Sequence, residues 1–140
     1  MSILQEMHFE SGLLNVVIRG EFSLEEAERA FLEMLGAVEQ YRAEKVLIDG
    51  RNLKGEPEFI ERFYYGKFAA QETLRLVNEH RVPRAPQFAY VANEPLLDPR
   101  RFGETVAVNR GMCVKAFETP EEAFEWLRLT PANKPDAADL

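Results

Sequence analysis

The sequence predicts an α/β fold: one domain holding a five-stranded, mostly parallel mixed sheet and four helices in the order β-β-α-β-α-β-α-β-α. Three observations predict it. Short, nearly continuous apolar runs such as Leu13–Ile18, Val46–Ile48 and Phe88–Ala92 suit strands covered on both faces. Segments of 3.6-residue apolar period separate them, which is the alternation of a layered α/β domain. The 140 residues, 46% hydrophobic, suffice for one domain with a real core.

Ile3–Phe9 and Leu13–Arg19 are two extended segments separated by Glu10-Ser11-Gly12, where Gly12 can take the positive φ that a tight connection requires. They read as an opening hairpin, with the more polar first strand at an edge. Ser23 and Glu26 have the spacing of a capping box, and Leu24, Ala27, Phe31, Met34, Leu35 and Val38 then recur at helical spacing to about Tyr41. The strand Lys45–Asp49 follows and stops in a polar loop, Gly50 to Gly55. Pro57 is placed to be the first residue of a long helix over about Glu58–Glu79. That helix carries Phe59, Phe63, Gly66, Ala70, Leu74 and Val77 on one stripe, with Ile60, Tyr64 and Phe68 beside them, an apolar surface wider than one contact with a sheet needs.

Arg81-Val82-Pro83-Arg84-Ala85-Pro86 breaks the helix and leads into the strand Gln87–Asn93. Asp98-Pro99 caps a shorter helix with Phe102, Val106 and Ala107 inward and Gly111 as its left-handed end. Met112–Phe117 is the last strand. Thr119-Pro120-Glu121-Glu122 repeats the capping logic for a helix burying Ala123, Phe124 and Leu127, with Trp126 at its flank. The domain spans residues 1–129; residues 130–140, with two prolines and no aromatic, read as a disordered tail.

The net charge of −7 opposes adhesion to nucleic acid, and no run of 18 apolar residues supports membrane insertion. The N-terminus lacks a basic segment followed by an apolar run, so a cytoplasmic location is expected. Cys113, the single cysteine, lies in an apolar run and reads as a buried reduced thiol. One cysteine with His8 and His80 does not make a metal or redox site, and Glu56 and Glu58 oppose a phosphate at the loop after Asp49. Ser2, Ser11 and Ser23 sit at a terminus, a turn and a cap, which gives no nucleophile. No cofactor and no enzymatic activity are expected.

Two regions carry the functional expectations. Where the inner strands end, Asp49, Arg51 and Asn52 are positioned to approach Asn93 and Glu94 as a recognition patch. The alternative is that Asp49 accepts backbone hydrogen bonds in a turn while Arg51 pairs with a neighbouring acid. On the long helix, Tyr64, Tyr65 and Phe68 suit surplus core, an interface, or the wall of an apolar pocket. His80 with Arg81 and Arg84 reads as cationic complement to a helix end.

The element order, with Asp49 ending the central strand and Asn109-Arg110-Gly111 preceding the last strand and the segment Phe117–Leu127, resembles the SpoIIAA-like family over about residues 3–129. That family is related to the STAS domains of anti-sigma-factor antagonists, with a fold also compared to CRAL-TRIO lipid-transfer domains. The resemblance implies a non-enzymatic regulatory module that binds a protein partner, a homodimer included, through Asp49, Arg51, Asn52, Glu56, Tyr64, Tyr65 and Phe68. In STAS antagonists the loop after the central strand presents a phosphorylatable serine; Asp49–Phe59 contains no serine or threonine, so a partner switch here cannot use phosphorylation at that site. The second implied reading is a carrier or sensor of a lipid or other small apolar ligand, with Phe59, Phe63 and Phe68 lining its pocket.

Overall fold

The computed structural model describes residues 3–129, so the expected tail lies outside the described residues. The elements follow the expected order: β1 Leu4–Glu10, β2 Leu13–Glu21, α1 Leu24–Tyr41, β3 Lys45–Lys54, α2 Phe59–Asn78, β4 Gln87–Val91, α3 Phe102–Asn109, β5 Val114–Phe117 and α4 Pro120–Leu129. The sheet order is β1-β2-β3-β4-β5. Strands β2 to β5 are parallel, and β1 is antiparallel at the edge. Ser11 and Gly12, both at positive φ, make the two-residue connection whose backbone twist matches that of its flanking strands.

Pleat alternation sorts the core into two layers. Leu14, Val16, Val46, Ile48 and Phe88 face one side of the sheet, against Phe31, Met34, Leu35 and Val38 of α1, Ala69, Ala70 and Leu76 of α2, and Ala107 of α3. Leu13, Leu47, Ala89 and Val91 face the other side, where Ala123 and Leu127 of α4 cover them. Phe124 was expected among the inward residues of α4 but is exposed; Ala123 and Leu127, four apart, define the buried stripe and leave Phe124 off it. Trp126 flanks that stripe, its ring 5.8 Å from Phe117.

The helix ends form largely as their caps dictate. The Ser23 hydroxyl accepts from the Glu26 N–H at 3.2 Å, but only half of that capping box closes. The Glu26 carboxylate turns away to accept from the Ile3 N–H and from Arg29, which fastens the start of β1 to α1. Pro57 is not the first helical residue: Glu58 is the N-cap of α2, and its box with Glu61 is complete, which leaves Pro57 buried one position earlier. His80 takes φ 60° just past α2, while Arg81 reaches back to Glu39 of α1 at 2.7 Å. Of that cluster, Arg81 ties the end of α2 to α1.

Cys113 also departs from expectation. It is exposed just ahead of β5, because its neighbours Met112 and Val114 turn to the core and leave it on the other side of the chain.

Candidate functional site

The strand that ends in Asp49 does not end there. β3 runs to Lys54 and outlasts β4, which stops opposite Asp49 at Val91. Against β2 the register passes from Val17↔Asp49 to Arg19↔Asn52, so Gly50 and Arg51 together oppose Ile18. This is a β-bulge, which bends the strand and re-aims a side chain. Gly50 is buried at the bend, where a Cβ would stand 3.4 Å from the Val91 carbonyl.

The bulge brings Arg51 to the same side as Asp49. One Asp49 oxygen accepts from the Arg51 backbone N–H and Nε at 3.1 and 2.9 Å, and the other accepts from a guanidinium nitrogen at 2.8 Å. The Arg51 side chain holds the Asp49 carboxyl below its ordinary pKa, against the opposing effect of burial. Asn52 and Glu56 are exposed. Among the described residues no hydrogen bond joins Asp49, Arg51 or Asn52 to Asn93 or Glu94. The contacts that form are those of the alternative, Asp49 accepting a backbone hydrogen bond and pairing with Arg51.

On α2 the aromatics divide between two sides. Phe59, Ile60 and Tyr64 are exposed, Phe59 at 67%. Phe59 stacks on Phe102 of α3 with ring centroids 4.1 Å apart, and Phe63 lies between Tyr64 and the Arg110 guanidinium, 5.4 Å above its ring. Tyr65 and Phe68 turn inward against Phe31, so they do not share a surface with Tyr64. One helix thus has a wet aromatic side and a dry one.

Beneath α2 lies a pocket of about 190 Å³ between the helix and the sheet, almost wholly apolar and partly open to solvent. From α2 it is bordered by Arg62, Tyr65, Gly66 and Ala69. Phe31 and Met34 border it from α1, Ile48 from β3, and Leu97 and Ala107 from the segment after β4. Phe59, Phe63 and Phe68 do not line it, which corrects the expected pocket: the first two lie on the outer flank of α2 and Phe68 packs into the core beside the cavity. Tyr65 does line it, together with Tyr90 of β4, which the sequence reading missed. The two hydroxyls are 2.8 Å apart.

Burial raises the Tyr65 pKa to about 12, with a smaller opposing effect from its bond to Tyr90. Burial raises Tyr90 further, helped by Tyr65 itself. Both groups are therefore neutral in the folded protein, and the stability that this represents is full below the ordinary tyrosine value of 10.0 and lost as pH rises towards 12 and beyond. Alkaline unfolding with the tyrosinate signals of Tyr65 and Tyr90 appearing only on unfolding is expected, followed by ring-carbon NMR alongside circular dichroism. Ionisation of Tyr65 below pH 11 in the folded chain would contradict the upward shift that burial gives it.

No family model matches the chain, and no curated protein does. Among solved structures, an anti-sigma factor antagonist from Mycobacterium paratuberculosis is similar at 18% identity, with 91% of this chain and 95% of that one covered and a TM-score of 0.59. An uncharacterized protein of the DUF3478 family with a SpoIIAA-like fold, from Shewanella loihica PV-4, is also 18% identical, covering 90% and 93% of the two chains at a TM-score of 0.47. The likeness to the antagonist establishes a shared α/β fold over nearly the whole of both chains. Among the described residues no helix is long and apolar enough to cross a membrane, and no group of three or more histidine, cysteine, aspartate or glutamate side chains is arranged to hold a metal ion.

Proposed function

We propose that the protein is a non-enzymatic regulatory module that works by binding a protein partner through the outer aromatic face of α2. The observation that carries this reading is the contiguous exposed set Phe59, Ile60 and Tyr64, joined to Phe102 by ring stacking on a surface otherwise rich in charge. Aromatic residues in such a setting are the usual anchors of interfaces. The fold shared with an anti-sigma factor antagonist agrees with the class, and the closed Asp49–Arg51 pair leaves that acid and base occupied with each other.

The partner to test first is a second copy of the chain. Glu58 and Glu61 flank the patch at the start of α2, while Lys67 and Arg110 flank it further along, so two copies related by a two-fold axis across the helix would set acidic against basic ends. Sedimentation of the purified protein is expected to show a concentration-dependent dimer that Phe59→Ser with Tyr64→Ser converts to a monomer of unchanged circular dichroism, a loss of at least tenfold in self-affinity. A parent that stays monomeric, or a dimer indifferent to both changes, removes this surface from the reading.

A second reading, binding of a small apolar ligand, is favoured by the cavity under α2. It and the first reading use opposite sides of the same helix.

A further inference from the structure

Resting on the second reading above, we infer that the cavity takes an uncharged, mainly apolar molecule of about eight heavy atoms whose one hydrogen-bond acceptor meets the Tyr65–Tyr90 hydroxyl pair. Size comes first. An engineered cavity of roughly 150 Å³ holds benzene, and in proportion a volume of about 190 Å³ holds roughly eight heavy atoms. A diacyl lipid is several times too large for it, so the occupant is a small ring or a short chain.

Polarity follows from counting donors. Each phenol hydroxyl has one hydrogen to donate. In the pair, one hydroxyl donates to the other at 2.8 Å, and neither has a further partner among the described residues. One O–H is therefore left over on the apolar wall, available to donate to a ligand. A carbonyl or ether oxygen on the ligand would meet it.

Charge is excluded by the side chains that border the cavity. Arg62, Asp98, Arg101 and Glu104 are the charged residues among them, two of each sign. Arg62 donates to the carbonyls of Pro95 and Leu96, and Arg101 to the carbonyl of Asp98. Asp98 accepts from the N–H groups of Arg100 and Phe102, and Glu104 from that of Ala116. Their formal charges sum to zero and the wall between them is almost wholly apolar, so the site offers an ionised ligand no net counter-charge and would strip it of water.

Three probes of one shape separate these statements: acetophenone, α-methylstyrene, which replaces its oxygen by a methylene, and benzoate. Calorimetric titration of the full chain is expected to show binding of the first two and none of benzoate. In the Tyr65→Phe, Tyr90→Phe double variant, the affinity of acetophenone relative to α-methylstyrene should fall about three- to tenfold, the range of one neutral hydrogen bond. Should that variant not fold, the parent alone decides: the carbonyl stretch of bound acetophenone should lie below its frequency in hexane. An unshifted stretch, or a ratio unchanged in the variant, overturns the hydroxyl anchor while leaving the cavity reading intact. Binding of benzoate at least as tight as acetophenone overturns the charge argument. Failure of both neutral probes to bind overturns the cavity reading itself.

Discussion

Truncation of Phe31 to alanine is expected to cost about 3–5 kcal/mol of folding stability, the range for loss of a buried aromatic ring. Phe31 is 2% exposed and sits where three other rings meet, with centroids 6.1 Å from Tyr65, 6.5 Å from Phe68 and 5.8 Å from Phe88. Its ring also borders the cavity under α2. The atoms removed would join an existing void, so the neighbours have little to collapse against and the upper part of the range applies. Urea unfolding measures it, and Phe31→Leu should recover more than half of the loss. A cost below about 1 kcal/mol would mean that the surrounding helices close the gap, contrary to a rigid cavity wall.

Gly66→Val is expected to be the second most damaging change, at about 2–4 kcal/mol, at and somewhat above the usual range for overpacking. A Cβ at Gly66 would stand 2.7 Å from the Gly103 carbonyl oxygen and 3.2 Å from the Val106 Cβ. Both belong to α3, and the first is backbone that cannot swing away. The helical preference of valine over glycine returns only a few tenths of a kcal/mol. At about 4 °C per kcal/mol for a chain of this size, the melting temperature should fall by about 8–15 °C. Gly36→Ala in α1 is the matched control: a Cβ there meets nothing within 4 Å, so the helix gains about 1 kcal/mol. A neutral Gly66→Val would show that α2 and α3 separate freely.

Why the sequence yielded the fold more readily than the site can be traced to individual residues. Ser23, Gly12, Thr119 and Gly111 are local signals, each acting on backbone within a few positions of itself, and the pleat and helix periods are carried by the chain's own spacing. The orientation of α2 is not local. Phe59, Phe63 and Tyr64 weigh heavily in any apolar stripe, yet apart from Leu76 the buried residues of α2 are Gly66, Ala69, Ala70 and Thr73, because close approach to α3 and to the sheet favours small side chains. The bulge at Gly50 and Arg51 had one legible sign, a glycine inside a strand pattern, which was read as a strand end. The partnership of Tyr65 with Tyr90 spans 25 residues and had no sign at all, since it depends on which face of β4 meets which face of the helix.

The covering of the sheet by α4 bears on how the chain acquires its structure during synthesis. Leu13, Leu47, Ala89 and Val91 face a side of the sheet on which α4, the last described element, is the helix that packs against them. A ribosome extending the chain therefore releases α1, α2 and α3, with the strands they cover, before it releases residues 120–129. At typical rates of roughly 5–20 residues per second, the other side of the nascent sheet stays bare for a second or more after β4 emerges, with a stripe of aliphatic side chains open to whatever chaperone or neighbouring chain is present.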